Sequence, residues 1–143
     1  MPVSLKELIA RRAVNTRVMA LLQQHAVEAI AEARSHGNVG HIDECSIEFT
    51  DDFRTISIHP APGTQATEQE VVAEFGQLLL HAMEASPHQP KRLVKIAHAC
   101  INGKVRHLAE LDLRLERRLA DTIYIPLIVL IVALLSILYT FCH

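Results

Sequence analysis

Residues Cys45–Ile58 read CSIEFTDDFRTISI and decide the fold class, because apolar and polar residues alternate along both halves of the stretch. This period of two is typical of half-buried strands. Asp51 and Asp52 lie between the two halves, so we expect a β-hairpin over residues 44–59 with these aspartates in its loop. The expected register matches the polarity of the facing residues, and it pairs Ile47 with Ile56, Cys45 with Ile58, Ser46 with Ser57, and Glu48 with Thr55.

The rest of the chain before residue 122 has helical periodicity and clear capping signals. An S-x-x-E capping box at Ser4 opens a long amphipathic helix over 4–35, which ends before Gly37. A second capping box at Thr67 opens a helix over 67–85, and Pro87 starts a helix over 87–121. The sequence therefore predicts a mostly α fold with one β-hairpin (α+β) in a single domain, 1–121.

The chain ends in a run of 20 residues without a charge, Ile123–Cys142, which reads IYIPLIVLIVALLSILYTFC. A helix needs about 20 apolar residues to cross a bilayer, so the run predicts a C-terminal transmembrane anchor over 122–143. Tyrosines near the ends of a span are typical of interfacial anchoring, and a proline inside it predicts a kink. The residues that define this expected span are Ile123, Tyr124, Pro126, Tyr139 and Cys142.

The charges beside this run predict the orientation of the chain. Arg106, Arg114, Arg117 and Arg118 precede the run, and no Lys or Arg follows it. Because basic flanks stay on the cytoplasmic side, we expect a cytosolic domain, an N-terminus in the cytoplasm and a C-terminus outside, with the lipid bilayer as a partner. A bacterial inner membrane fits this single-pass topology, and an organellar outer membrane is the alternative.

Charge and cysteine usage exclude two classes of protein. The 14 basic and 16 acidic residues give a net charge of −2, which argues against a nucleic-acid partner. The three cysteines form neither a disulfide framework nor a zinc pattern. Cys45 and Cys100 are most simply interpreted as small buried apolar residues.

Nine histidines are the most unusual feature of the composition. His36, His41 and Asp43 have suitable metal donors, but their spacing matches no established ligand pattern, so they are weak candidates and the simpler interpretation is polar loop residues. We expect His81 to pair with Glu84 and His107 with Glu110, each three residues further along a helix. The sequence predicts no cofactor.

No catalytic motif is recognisable, and we expect the protein not to be an enzyme. A nucleophilic site needs Cys or Ser beside a His and an orienting acid. His98 and Cys100 are two residues apart on a predicted helix, which places them on different faces. No glycine-rich phosphate loop, nucleophile elbow or zinc-binding helix motif occurs.

An apolar stripe precedes the C-terminal run. Ile101, Leu108 and Leu115 follow one another at intervals of seven residues, with Leu111 and Leu119 close by. This spacing is typical of a coiled-coil seam between copies, and it fits equally well a stripe that packs on the chain's own first helix. The expected interaction residues are those of this stripe and of the hairpin: Ile101, Leu108, Leu111, Leu115, Leu119, Cys45, Ile47, Ile56 and Ile58.

These features predict a tail-anchored, non-enzymatic interaction protein. Its cytosolic domain would self-associate or dock partners, as a homo-oligomer or with other membrane-protein subunits. The alternative is a small membrane-active effector, such as a toxin, lysis or immunity component. An enzyme with an unrecognised site comes third.

Overall fold

A computed structural model describes residues 2–87 and 89–142 of the chain, except for the side chains of residues 116–125. The prediction of a mostly helical α+β fold is confirmed, with a small antiparallel sheet beside the helices. The elements in chain order are β1 (Val3–Ser4), α1 (Leu5–Ala10), α2 (Thr16–Gln24), α3 (Ala26–Ser35), β2 (Ile47–Phe49), β3 (Ile56–Ile58), α4 (Glu68–Glu84), α5 (Lys91–Ile101) and α6 (Leu108–Cys142).

The predicted helix over 4–35 is in fact three helices, α1, α2 and α3. Arg12 adopts a left-handed φ of 52°, and the N–H of Ala13 donates to the carbonyl of Leu8, which closes a Schellman turn after α1. Asn15 then caps α2, because its side-chain oxygen accepts from the N–H of Val18 at 2.9 Å. His25 separates α2 from α3. These turns bring buried residues of all three helices into one core.

The hairpin forms, but the predicted register is wrong by two residues. Ile47 pairs with Ile58 and Phe49 with Ile56, so the loop spans four residues rather than two. Phe53 adopts a φ of 53°, and the Asp52 carboxylate accepts from the hydroxyl of Thr50 at 2.7 Å, which fixes the longer loop. A shift of two residues keeps each side chain on its face, so the apolar face is retained. The short strand β1 adds a third, antiparallel neighbour to β2.

Helices α4 and α5 pack closely because α4 carries a glycine at the crossing. A Cβ on Gly76 would lie 2.7 Å from the carbonyl oxygen of Ala97 and 2.8 Å from the Cβ of Cys100. The capping box predicted at Thr67 and Glu70 opens α4 as expected. Cys100 is buried in this contact, and burial raises the pKa of its thiol to about 11.

The predicted helix over 87–121 is also interrupted. It begins at Lys91 rather than Pro87, with Pro90 at the N-cap, and α5 ends at Ile101. Gly103 has a φ of +79°, and the N–H of Lys104 donates to the carbonyl of Ala99, so the glycine closes a Schellman turn instead of lying within a helix. The chain then turns and starts α6 at Leu108.

The predicted transmembrane anchor is wrong. Among the described residues, no helix is both long and apolar enough to cross a membrane. The single-pass, tail-anchored topology and the membrane location were predicted from this anchor, so these predictions are wrong as well.

Candidate interaction surface

The C-terminal half of α6 is a helix whose large apolar side chains are all exposed. We call Leu127–Phe141 the α6 apolar segment. Its exposed large residues are Leu127, Ile128, Val129, Leu130, Ile131, Val132, Leu134, Leu135, Ile137, Leu138, Tyr139 and Phe141. Their exposed fractions run from 45% to 85%. A contiguous apolar surface of this extent is unusual on a monomer and typical of an interaction site.

Two polar side chains of the segment, Ser136 and Thr140, bond back to the helix itself. The hydroxyl of Ser136 donates to the carbonyl of Val132 at 2.9 Å, and the hydroxyl of Thr140 donates to the carbonyl of Ser136 at 2.9 Å. The sequence of the segment has no charged residue. A partner for this surface is therefore expected to be apolar, since neither hydroxyl has a free donor to offer.

The predicted interaction stripe lies mostly in the chain's own core. Leu108, Leu111 and Leu115 are buried there, and Ile101 is half-buried. The stripe was expected either to form a coiled-coil seam between copies or to pack on the chain's own first helix. Packing within the chain matches these buried positions, and the expected first helix is the three helices α1, α2 and α3. The side chains of Leu119, Ile123 and Tyr124 lie outside the described residues, whereas Pro126, Tyr139 and Cys142 are exposed.

The hairpin residues also face inward, with one exception. Ile47 is buried, and Ile56 and Ile58 are half-buried against the core. Cys45 is exposed rather than buried, which corrects its interpretation as a core residue. The hairpin thus contributes its apolar face to the domain, and its role in binding a partner stays a prediction.

The histidine at position 41 joins the loop before β2 to α4. Its Nδ1 lies 2.8 Å from Oε1 of Glu74, and the N–H of Ile42 donates to Oε2 of the same carboxylate at 3.2 Å. The hydrogen bond to Glu74 and the charge of that carboxylate raise the pKa of His41, with a smaller contribution from Glu70 at 3.9 Å. Partial burial opposes the shift.

A second histidine–glutamate pair joins the same loop to α4, but here the histidine is on the helix and the glutamate is in the loop. Nδ1 of His81, on α4, lies 2.5 Å from Oε1 of Glu44, in the loop. His107 likewise lies 3.6 Å from Glu68 rather than beside Glu110. The predicted partners three residues along the helix are therefore wrong, because these imidazoles contact glutamates of other elements.

These groups do not assemble into a site of recognisable chemistry. Among the side chains that the structure describes, which exclude those of residues 116–125, no three His, Cys, Asp or Glu residues are placed to hold a metal ion, and this includes His36, His41 and Asp43. Cys45 borders the same cleft as His81 and Glu44, which has a volume of about 340 Å³. No hydrogen bond between the Cys45 thiol and the His81 ring occurs in the described part of the chain.

The whole run was assigned to a bilayer from its sequence, whereas the structure describes Leu127–Phe141 as an exposed apolar helix surface of the chain. The signal that separates the two halves of α6 was present in the sequence. The buried stripe ends among charged residues, and the uncharged segment follows it. Comparisons of the chain with protein-family models, with curated proteins and with solved structures give no match.

Proposed function

We propose that this chain is a non-enzymatic interaction protein that self-associates through the α6 apolar segment. The observation that carries the proposal is the exposure of twelve large apolar side chains on one continuous stretch of helix. An exposed apolar helix surface is stabilised when it is covered, because each large side chain contributes ~1.5–3 kcal/mol on full burial.

The fold of the remaining chain supports a binding role rather than catalysis. The buried residues form one core, and the described histidine–glutamate pairs join structural elements to one another. The domain therefore serves as a rigid base from which α6 presents its apolar surface.

Sedimentation velocity of the full chain, with and without Leu134→Glu, tests this proposal. We expect the unmodified chain to sediment as an oligomer and Leu134→Glu to shift it towards monomer, because a carboxylate in an apolar interface costs several kcal/mol unless it is paired. Lys104→Glu is the matched control, since it introduces the same side chain at an exposed loop position away from the segment. An unmodified chain that is monomeric throughout the accessible concentration range would refute the proposal.

A further inference from the structure

Five large apolar residues of the α6 apolar segment share one face of the helix. Leu127, Ile131, Leu134, Leu138 and Phe141 follow one another at alternating intervals of four and three residues. At about 100° per residue, they fall within an arc of about 80°. Alternating spacing of four and three is the pattern of a coiled-coil seam. We call these five residues the α6 seam.

The opposite face of the segment is smaller and more polar. It carries Val129, Val132, Ala133, Ser136 and Thr140, and the two hydroxyls bond to the helix's own carbonyls. The seam side of the helix is therefore bulkier, and the Ser136 and Thr140 hydroxyls lie on the opposite side. This asymmetry distinguishes a helix with a preferred contact face from one that is uniformly apolar.

One further exposed apolar residue lies on the seam side of α6, close to the domain. Leu113 is 69% exposed, and it precedes Leu127 by two heptads, so it lies on the same face of α6. Leu111 and Leu115, on either side of it, are buried in the core. The domain thus packs on one side of α6, and the seam faces away from it.

The chemistry of the segment determines the partner. Its sequence is uncharged, and the hydroxyls of Ser136 and Thr140 donate to the helix's own carbonyls, so its surface is dominated by apolar side chains. A second copy of the same seam matches it in apolar character and brings no like charges together. Twelve large side chains at roughly 60–120 Å² each offer an area comparable to the ~800 Å² per partner of a stable interface.

One neighbouring helix would leave part of this area in water. Ile128, Leu130, Leu135 and Ile137 flank the seam and are exposed as well, so the apolar arc is wider than a two-stranded coiled coil covers. Three or more helices cover such an arc. A closed ring of three or more identical copies with cyclic symmetry makes their helices parallel.

We infer that three or more copies of this chain form a parallel bundle along the α6 seam. The inference rests on the proposed function and adds to it the partner, the contact face and the orientation. Residues of the seam lie at the bundle axis, and the folded domains lie together around one end of it.

Cysteine cross-linking in the full chain tests the face and the orientation. Cys45 and Cys142, which are exposed, are replaced by Ser, and the buried Cys100 is retained. Leu127→Cys and Leu138→Cys are then compared with Val132→Cys and Ser136→Cys after oxidation with copper phenanthroline. A disulfide needs Cα atoms within about 7 Å. We expect both seam variants to form at least tenfold more linked dimer than the two variants of the opposite face.

Sedimentation equilibrium of the same samples gives the number of copies and separates the possible failures. A mass of three or more chains with linking at both seam positions supports the bundle. Three results would overturn the bundle and leave self-association intact. They are an oligomer that links equally through Val132 and Ser136, an oligomer that links at one seam position alone, as in an antiparallel pair, and an oligomer of only two chains. A monomer would overturn both, and a monomer that floats with phosphatidylcholine vesicles would assign the surface to lipid instead.

Discussion

The carboxylate of Glu68, at the start of α4, accepts a hydrogen bond from the backbone N–H of Leu108, at the start of α6, over 2.8 Å. The first N–H groups of a helix have no partner within it, and an acidic side chain satisfies one of them and complements the helix dipole. His107 lies 3.6 Å from the same carboxylate. One glutamate thus fixes where α6 leaves the domain and, through it, the direction of the α6 apolar segment.

Glu68→Ala is expected to destabilise the domain by about 1 kcal/mol at neutral pH, because it removes the acceptor at the start of α6. The hydrogen bond from Leu108 lowers the pKa of Glu68. Stability from this group is therefore present above the unfolded-state pKa and is lost as the pH falls through the folded-state value. Urea unfolding at pH 7 and pH 3 measures the effect, which we expect to shrink at pH 3.

Glu32→Ala is the control for this prediction, since Glu32 is an exposed glutamate on α3. It is expected to change the free energy of unfolding by less than ~0.5 kcal/mol. A Glu68→Ala protein with unchanged stability at pH 7 would mean that water satisfies the N–H of Leu108 as well as the carboxylate does.

Local signals in the sequence predicted the ends of several elements correctly. The capping box at Thr67 and the glycine stop at Gly37 act within a few residues, and both are found where expected. The α+β class followed from the change of period between helices and hairpin. The fold was predictable wherever one short segment contained all the partners of its hydrogen bonds.

The remaining features do not follow from the pattern of apolar and polar residues along the chain. Arg12 takes a left-handed conformation that its residue type disfavours, so tertiary packing must compensate for it. The register of the hairpin depends on its loop, where Thr50 and Asp52 bond to each other, and pairing by polarity alone could not distinguish a shift of two residues. The partners of His41 and His81 lie 33 and 37 residues away along the chain, beyond any helical spacing.

Stability is expected to decrease between mildly acidic and mildly alkaline pH through His41. Its folded-state pKa is raised by Glu74, so its contribution is fully present below the unfolded-state value of 6.5 and is lost as the pH rises through the folded-state value. Thermal melts of the unmodified chain and of His41→Gln from pH 5 to pH 8.5 test this. The difference between their melting temperatures should be largest at pH 5.

His98→Gln provides the comparison, because His98 is exposed on α5. It should leave the pH profile of the melting temperature unchanged. If the melting temperature of His41→Gln changes with pH in the same way as that of the unmodified chain, the pairing with Glu74 does not couple proton binding to folding.

The observed hairpin register predicts unequal effects on the two faces of β2 and β3. Phe49→Ala should destabilise the domain by ~3–5 kcal/mol, because its fully buried ring packs in the core opposite Ile56. Ser57→Ala, on the exposed face of β3, should change stability by less than ~0.5 kcal/mol. Chemical denaturation measures the free energy of unfolding of both variants. Comparable losses of stability would mean that both faces of the hairpin are buried.

Gly76→Ala is expected to destabilise the chain, although the same change within an exposed helix would stabilise it by ~1 kcal/mol. The added Cβ would lie 2.7 Å from the carbonyl oxygen of Ala97 and 2.8 Å from the Cβ of Cys100, and backbone atoms cannot move aside without separating α4 from α5. Overpacking of this kind costs typically ~1–3 kcal/mol, which exceeds the gain in helix propensity. Gln77→Ala, at the next and exposed position, should be neutral or slightly stabilising. A higher melting temperature for Gly76→Ala would show that the two helices are not held at this distance.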